Sequence, residues 1–255
     1  MSPSAPAAGL AKDFLSILDL RPTELVRLLA VAAEMKRDRA AGRQGAQPLA
    51  RKHVALMFEK PSLRTRTTFA IAVREIGGEV IELPADVTSG GRESMTDVAR
   101  NLERWVAGVV VRTFEQARLE QFAGAVGKLH VVNALTNEQH PCQALADMLT
   151  LQERLGSLQG RTLAYVGDGN NVAASLAHAG AMLGLQVRLA SPAGFELPHA
   201  AVEAARQAAS DGGSVTLIDD PVTAVAGADA AASVVFDQAE NRLHTQKALL
   251  ALLMG

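Results

Sequence analysis

A chain of 255 residues, 48% hydrophobic and 20% charged, has the make-up of a globular enzyme and can bury a substantial core, as one large or two smaller domains. Its 25 basic and 27 acidic residues leave a net charge of −2, which argues against a nucleic-acid or membrane-surface partner. Cys142 is its one cysteine, which excludes an intrachain disulfide and fits a reducing cytoplasm, and neither a membrane-spanning run nor a signal-peptide core is present.

Residues 1–11 are rich in Pro, Ala and Ser and are expected to form a mobile tail. Pro22 opens a helix expected to reach about residue 39, with Leu25, Leu28, Leu29, Ala32 and Met35 on its inner face. After a basic loop at 40–47, the apolar run 54–58 reads as a short buried strand. Pro61 stops it, and Ser62 is a good N-cap for a helix to about residue 76, on which Phe69, Ala72, Val73 and Ile76 recur at helical spacing. A strand at 79–83, a Gly/Ser-rich loop at 86–92, a helix at 94–105, a strand at 109–111, a helix from about 115 and a strand at 129–134 continue the alternation.

His140-Pro141 then opens a helix to about residue 155, because Pro suits the first helical position. The second half reads as strand 161–166, helix 171–183, strand 186–190, helix 198–210 and strand 214–218, with 231–236 as the next strand and a helix at 243–254. Such alternation predicts an α/β fold with two doubly wound parallel-sheet domains and a ligand cleft between them. The boundaries expected are a tail at 1–11, a first domain at 12–142, a second at 143–236 and, at 237–255, a C-terminal helix returning to the first domain.

Three places concentrate polar chemistry. Ser62-Leu63-Arg64-Thr65-Arg66 falls on the first turn of a helix, where backbone N–H groups lack internal partners and the dipole favours negative charge. Two hydroxyls and two guanidiniums on that turn make a phosphate cradle, the alternative being a capped helix with solvated arginines. Arg112 ends a buried strand, the place where parallel sheets present ligand-binding groups. His140 and Gln143 lie about one helical turn apart and can address one small polar ligand.

Gly167-Asp168-Gly169, between a strand and a helix, invites a dinucleotide reading. A fingerprint of that kind needs a third glycine where this chain has Val172, and an acidic residue where the next strand ends in Leu189-Ala190-Ser191. Both tests fail.

Taken together, these residues resemble the carbamoyltransferase family. Ser62-Leu63-Arg64-Thr65-Arg66 is similar to its carbamoyl-phosphate signature, and Arg112-Thr113-Phe114, His140-Pro141-Cys142-Gln143 and Ala239-Glu240-Asn241-Arg242 match further motifs in order. Gly167-Asp168-Gly169-Asn170-Asn171 looks like the ornithine branch. The resemblance implies transfer of a carbamoyl group from carbamoyl phosphate to the ornithine side-chain amine, with no metal or redox cofactor and a homotrimer or multiple of trimers. Other acceptors (putrescine, acetylornithine, aspartate) and a carbamoyl-phosphate-binding protein without turnover are the alternatives.

By that resemblance Ser62, Leu63 (through its backbone), Arg64, Thr65, Arg112, His140, Gln143 and Arg242 hold carbamoyl phosphate. Arg64, Arg112, His140 and Gln143 act on the reacting group, and Asn171 holds ornithine. Arg66 is open between ligand contact and a structural ion pair. The family's Asp-x-Trp-x-Ser-Met-Gly and His-Cys-Leu-Pro segments are not found; the chain passes from Ala228-Asp229 through three alanines to Ser233. Leu63 stands where relatives carry Thr, and Thr88 falls near a Gln that in relatives reaches a neighbouring subunit.

Overall fold

The computed structural model describes residues 10–84, 93–231 and 235–255. Helix α1 (Pro22–Ala40) leads to β1 (His53–Phe58), α2 (Leu63–Glu75), β2 (Glu79–Glu82), α3 (Met95–Leu102), β3 (Gly108–Arg112), α4 (Gln116–Gly124), β4 (His130–Leu135) and α5 (Pro141–Leu155). The second half follows as β5 (Thr162–Val166), α6 (Asn171–Met182), β6 (Gln186–Ala190), α7 (His199–Gln207), β7 (Ser214–Leu217), α8 (Pro221–Val225) and α9 (Val235–Met254). The 86–92 loop, with Thr88, lies outside the described residues.

The first sheet is parallel throughout, in the order β2-β1-β3-β4. Its inner strands β1 and β3 read as apolar runs because both of their faces are covered, whereas the edge strand β2 is short and largely exposed. Successive side chains point to opposite faces. Val54, Leu56 and Phe58 therefore join Val110 and Val132 in a core with α1, α2 and α5. Ala55 and Met57 join Val109, Val111 and Val131 in a second core under α3 and α4.

The free edge of β4 is closed by a segment that periodicity does not reveal. Phe14 bridges Val132 in parallel, its N–H donating to the Val131 carbonyl and its own carbonyl accepting from Asn133 N–H, each at 2.8 Å. A single 3₁₀ turn, Ile17–Asp19, then carries the chain towards α1.

The second sheet is also parallel, in the order β5-β6-β7. Of the strand expected at 231–236, residues 232–234 lie outside the described residues, and 235–236 are helical. Ala230 instead makes one parallel bridge to Leu163 on the outer side of β5, with Ala164 N–H donating to the Ala230 carbonyl at 2.9 Å, and Val235 already begins α9. A 20-residue helix thus replaces the expected shorter one at 243–254. It does return to the first half, packing on α1, α2 and α5.

The loop between β5 and α6 depends on one glycine. A Cβ on Gly169 would lie 2.2 Å from the backbone nitrogen of Leu197, and Gly169 N–H donates to the Phe195 carbonyl at 2.6 Å. Close approach of two backbones, rather than a nucleotide, explains this glycine. Gly169→Ala should cost about 1–3 kcal/mol, as overpacking against a fixed neighbour does. Thermal unfolding checks this; a melt identical to the parent would show that residues 195–197 simply move aside.

Candidate active site

The loop after β1 is fixed before α2 begins. Glu59 N–H donates to the Arg112 carbonyl at 2.9 Å, tying the ends of β1 and β3. The Glu59 carboxylate accepts from Thr113 Oγ1 at 2.5 Å and pairs with Arg118 at 3.0 Å. Lys60 sits over the Phe114 ring at 4.0 Å and donates to Asn137 Oδ1 at 2.9 Å. Ser62 takes the extended N-cap conformation of α2, yet its hydroxyl makes no capping bond, so the helix start keeps its donors. Leu63, 84% exposed, turns its side chain to solvent.

A cavity of about 500 Å³ opens beside this turn, lined on its polar side by Arg64, His140, Gln143, Asp147, Gln238 and Arg242. Thr65 is buried behind it, and its Oγ1 accepts from Arg242 Nη1 at 3.1 Å. Arg242 is held there by its neighbour. Buried Asn241 donates to Thr150 Oγ1 at 2.9 Å and Glu153 Oε2 at 2.8 Å, and accepts from Lys36 Nζ at 2.7 Å, so α9 is pinned to α1 and α5. The two hydroxyl and guanidinium segments, far apart in sequence, therefore meet.

His140 caps α5 and is buried. Its backbone N–H donates to Ser175 Oγ at 2.9 Å, and Ser175 donates to Gln139 Oε1 at 2.9 Å, so α6 sets the position of the ring. Burial, and then the charges of Arg242, Arg112 and Arg64, push the imidazole down to about 3, leaving it neutral at pH 7. Arg242 and Arg112 are themselves held below the usual guanidinium range, chiefly by burial and in part by Arg64. Among the described residues, the buried donors at Arg112 Nε and Arg242 Nε, together with His140 Nδ1, have no hydrogen-bond partner. Buried polar groups left unpaired are costly, and converging cations more so. An anion in the cavity would satisfy both deficits at once.

Of the expected residues, Arg64, His140, Gln143 and Arg242 line the cavity. Thr65 joins through Arg242, and Arg112 through its field on His140 and Arg242. Ser62, Leu63 and Asn171 do not line it. Asn171 spends its amide on the Thr136 carbonyl at 2.6 Å, joining the two halves of the chain. Arg66 does not line the cavity; it pairs with Glu82 at 3.6 Å and lies over the Phe58 ring at 5.3 Å. Cys142 is buried, donates to the Asn133 carbonyl at 3.4 Å and is pushed up to about 12, so it is no nucleophile.

Sequence reading passed over Asp147, Tyr165 and Gln238, all on the cavity wall. Only Asp147 left a signal, four residues after Gln143 on one helix face. The remaining wall is apolar: Leu151, Leu163, Val166, Val172, Leu176, Ala230 and their neighbours.

Comparisons with known proteins bear on this geometry. Residues 12–153 match the family model described as the carbamoyl-P binding domain of aspartate/ornithine carbamoyltransferase, and residues 159–232 match its Asp/Orn binding domain. An ornithine carbamoyltransferase from Acidothermus cellulolyticus is 41% identical over 305 residues, covering 95% of this chain and 96% of the relative. Because 305 aligned positions exceed the 255 residues here, at least fifty of them face no residue of this chain. A relative of the same name from Anoxybacillus flavithermus is 41% identical over 220 residues, 86% of this chain and 69% of its own. Among solved structures, ornithine carbamoyltransferase from Pyrococcus furiosus superposes with a TM-score of 0.91 at 34% identity, covering 98% of this chain and 99% of that one. The enzyme from Thermus thermophilus gives 0.84 at 35% identity, covering 96% and 100%.

The neutral state of His140 has a thermodynamic signature. Its pKa falls from 6.5 to about 3 on folding, so the unfolded chain takes up the proton first as pH drops. Stability should therefore be lost from pH 6.5 downwards by about 1.4 kcal/mol per unit. Unfolding free energies from denaturant titrations at pH 7 and pH 5 should differ by about 2 kcal/mol more in the parent than in His140→Asn. Equal losses in the two proteins would mean that His140 is not held neutral.

Proposed function

The chain belongs to the aspartate/ornithine carbamoyltransferase family, and from that premise we propose that it moves the carbamoyl group of carbamoyl phosphate to the side-chain amine of ornithine, giving citrulline and phosphate. The observation that carries the proposal is the meeting of Arg64 and Arg242 on one cavity, within the field of Arg112, beside a neutral His140 whose ring nitrogen Nδ1 has no hydrogen-bond partner among the described residues.

In this reading Arg64, Arg112 and Arg242 bind the phosphate oxygens, with the N–H groups of the Ser62–Thr65 turn as further donors. The amine attacks the carbonyl carbon, and the carbonyl electrons move to oxygen. Neutral His140 donates a hydrogen bond to that oxygen as it gains charge. Collapse of the intermediate breaks the carbon–oxygen bond to phosphate, which leaves with its electron pair into the arginine cluster, and the attacking nitrogen gives up a proton. A well-placed donor to such an oxyanion is worth about 3 kcal/mol. Gln143 receives the carbamoyl NH₂ group.

The acceptor side is poorer. Asn171 is spent on Thr136, and the wall from β5, α6 and Ala230 offers mostly apolar groups. The unmatched block of relatives agrees with an acceptor half that has been shortened, so ornithine turnover is expected to be very low. A second reading, capture of carbamoyl phosphate without transfer, draws support from that same wall, and a change of acceptor to putrescine, acetylornithine or aspartate keeps the chemistry. The reading also entails a cytoplasmic homotrimer or multiple of trimers, which sedimentation would test; among the described residues no helix is long and apolar enough to cross a membrane.

A citrulline assay with calorimetry decides between transfer and capture. Carbamoyl phosphate binding with little or no citrulline is the expected result, and robust turnover would show that other groups serve the acceptor. Arg64→Ala should weaken carbamoyl phosphate at least about tenfold, or about 1.4 kcal/mol. Unchanged affinity in the folded variant would take Arg64 out of the anion site.

A further inference from the structure

Gln143 and Asp147 stand one turn apart on α5, and both reach the cavity. Gln143 Nε2 donates to Asp147 Oδ1 at 2.6 Å. Its Oε1 makes no hydrogen bond among the described residues. An amide is nearly symmetric in shape, so only its partners decide which end faces the ligand. An ionised carboxylate can only accept, and it therefore holds the NH₂ end against itself and leaves the oxygen for the cavity.

We infer that Asp147 is a positioning residue: it locks the Gln143 amide with Oε1 towards the ligand, so that the site selects an anion bearing a carboxamide NH₂ over a plain phosphate or phosphonate. The inference rests on the carbamoyl-phosphate reading and deepens it, because the lock accounts for recognition of the carbamoyl end specifically. The groups that share the cavity with Asp147 are Arg64 from α2, His140 and Gln143 from the head of α5, Arg242 from α9 and Tyr165 from β5. Burial pushes the Asp147 carboxyl up to about 6, against the Gln143 hydrogen bond and the Arg242 charge, which favour the ionised form. Once protonated, Asp147 could donate to Oε1 instead and turn the amide round. The selectivity is therefore present above about pH 6 and lost as pH falls through it.

The test compares phosphonoacetamide, in which a methylene replaces the labile bridging oxygen but the carboxamide remains, with methylphosphonate, which lacks the carboxamide. Calorimetry on the full chain at pH 7.5 should show the parent preferring phosphonoacetamide. Asp147→Leu should cut that preference about fivefold, the scale of ordering one long side chain. Its methylphosphonate affinity should stay level or rise, since a negative charge near Arg242 is gone. The parent's preference should also decline between pH 7.5 and pH 5, whereas that of Asp147→Leu should stay flat; the parent's own pH profile stands as the test if the variant does not fold. A preference that survives both substitution and acidification, or a parent with no preference, overturns the role of Asp147. A parent that binds neither probe overturns the carbamoyl-phosphate reading itself.

Discussion

Holding Arg64 and Arg242 on one cavity, within the field of Arg112, is the constraint on which the rest of the structure depends. Burial first, and then the charge of Arg64, holds Arg112 and Arg242 below the usual guanidinium range, the charges of all three add to the burial that keeps His140 neutral, and Asp147 is the one carboxylate among the described residues lining the cavity. A buried charge such as that of Arg242 is costly when left without a counterion. Each arginine is accordingly mounted on a separately braced element: the first turn of α2, the end of β3, and the middle of α9. None of these segments could hold the cluster alone.

The bracing of α9 shows what that requires. Its apolar face carries Leu249, Leu250 and Leu253 into the main core, while its polar side is fixed by the Asn241 bonds and by Lys247, which pairs with Glu75 at 2.8 Å. Glu75 also pairs with Arg39 at 2.9 Å, so α1, α2 and α9 share one carboxylate. Packing and polar ties here serve the same end, which is to keep Arg242 from swinging away from its like-charged neighbours.

Much of this was legible in the amino-acid order, for physical reasons that differ by element. Strands such as β1 and β3 announce themselves because two-faced burial leaves unbroken apolar runs, and α5 begins where Pro141 says it should. The turn that brings Arg64 to the cavity was legible because Ser62 to Arg66 are contiguous at the start of one helix, but of these residues only Arg64 lines the cavity. Phe14 was not, since a single bridging residue has no period, and α8 is too short to show one. The start of α9 was misplaced because Val235 and Phe236 read as strand formers, and the helix is instead fixed by tertiary packing on α1, α2 and α5. Asn171 was assigned to a ligand, but its amide goes to Thr136, a partner thirty-five residues away that no local pattern could disclose. The role of Asp147 likewise emerges only once its bond to Gln143 is seen.

The apolar residues beneath α5 are not divided between the sheets. Cys142, Leu145, Met148 and Leu149 belong to one continuous cluster that runs from Phe14 and Leu28 on one side to Ala177, Val187 and Val215 on the other. A shared core of this kind couples the two halves in unfolding, because neither sheet can lose its packing without stripping the same helix. The protein should melt as one cooperative unit despite its two sheets, with α5 acting as the keel along which both are laid. Any change in the shape of the cavity must then be accommodated along α5, because the packing of both sheets runs through it.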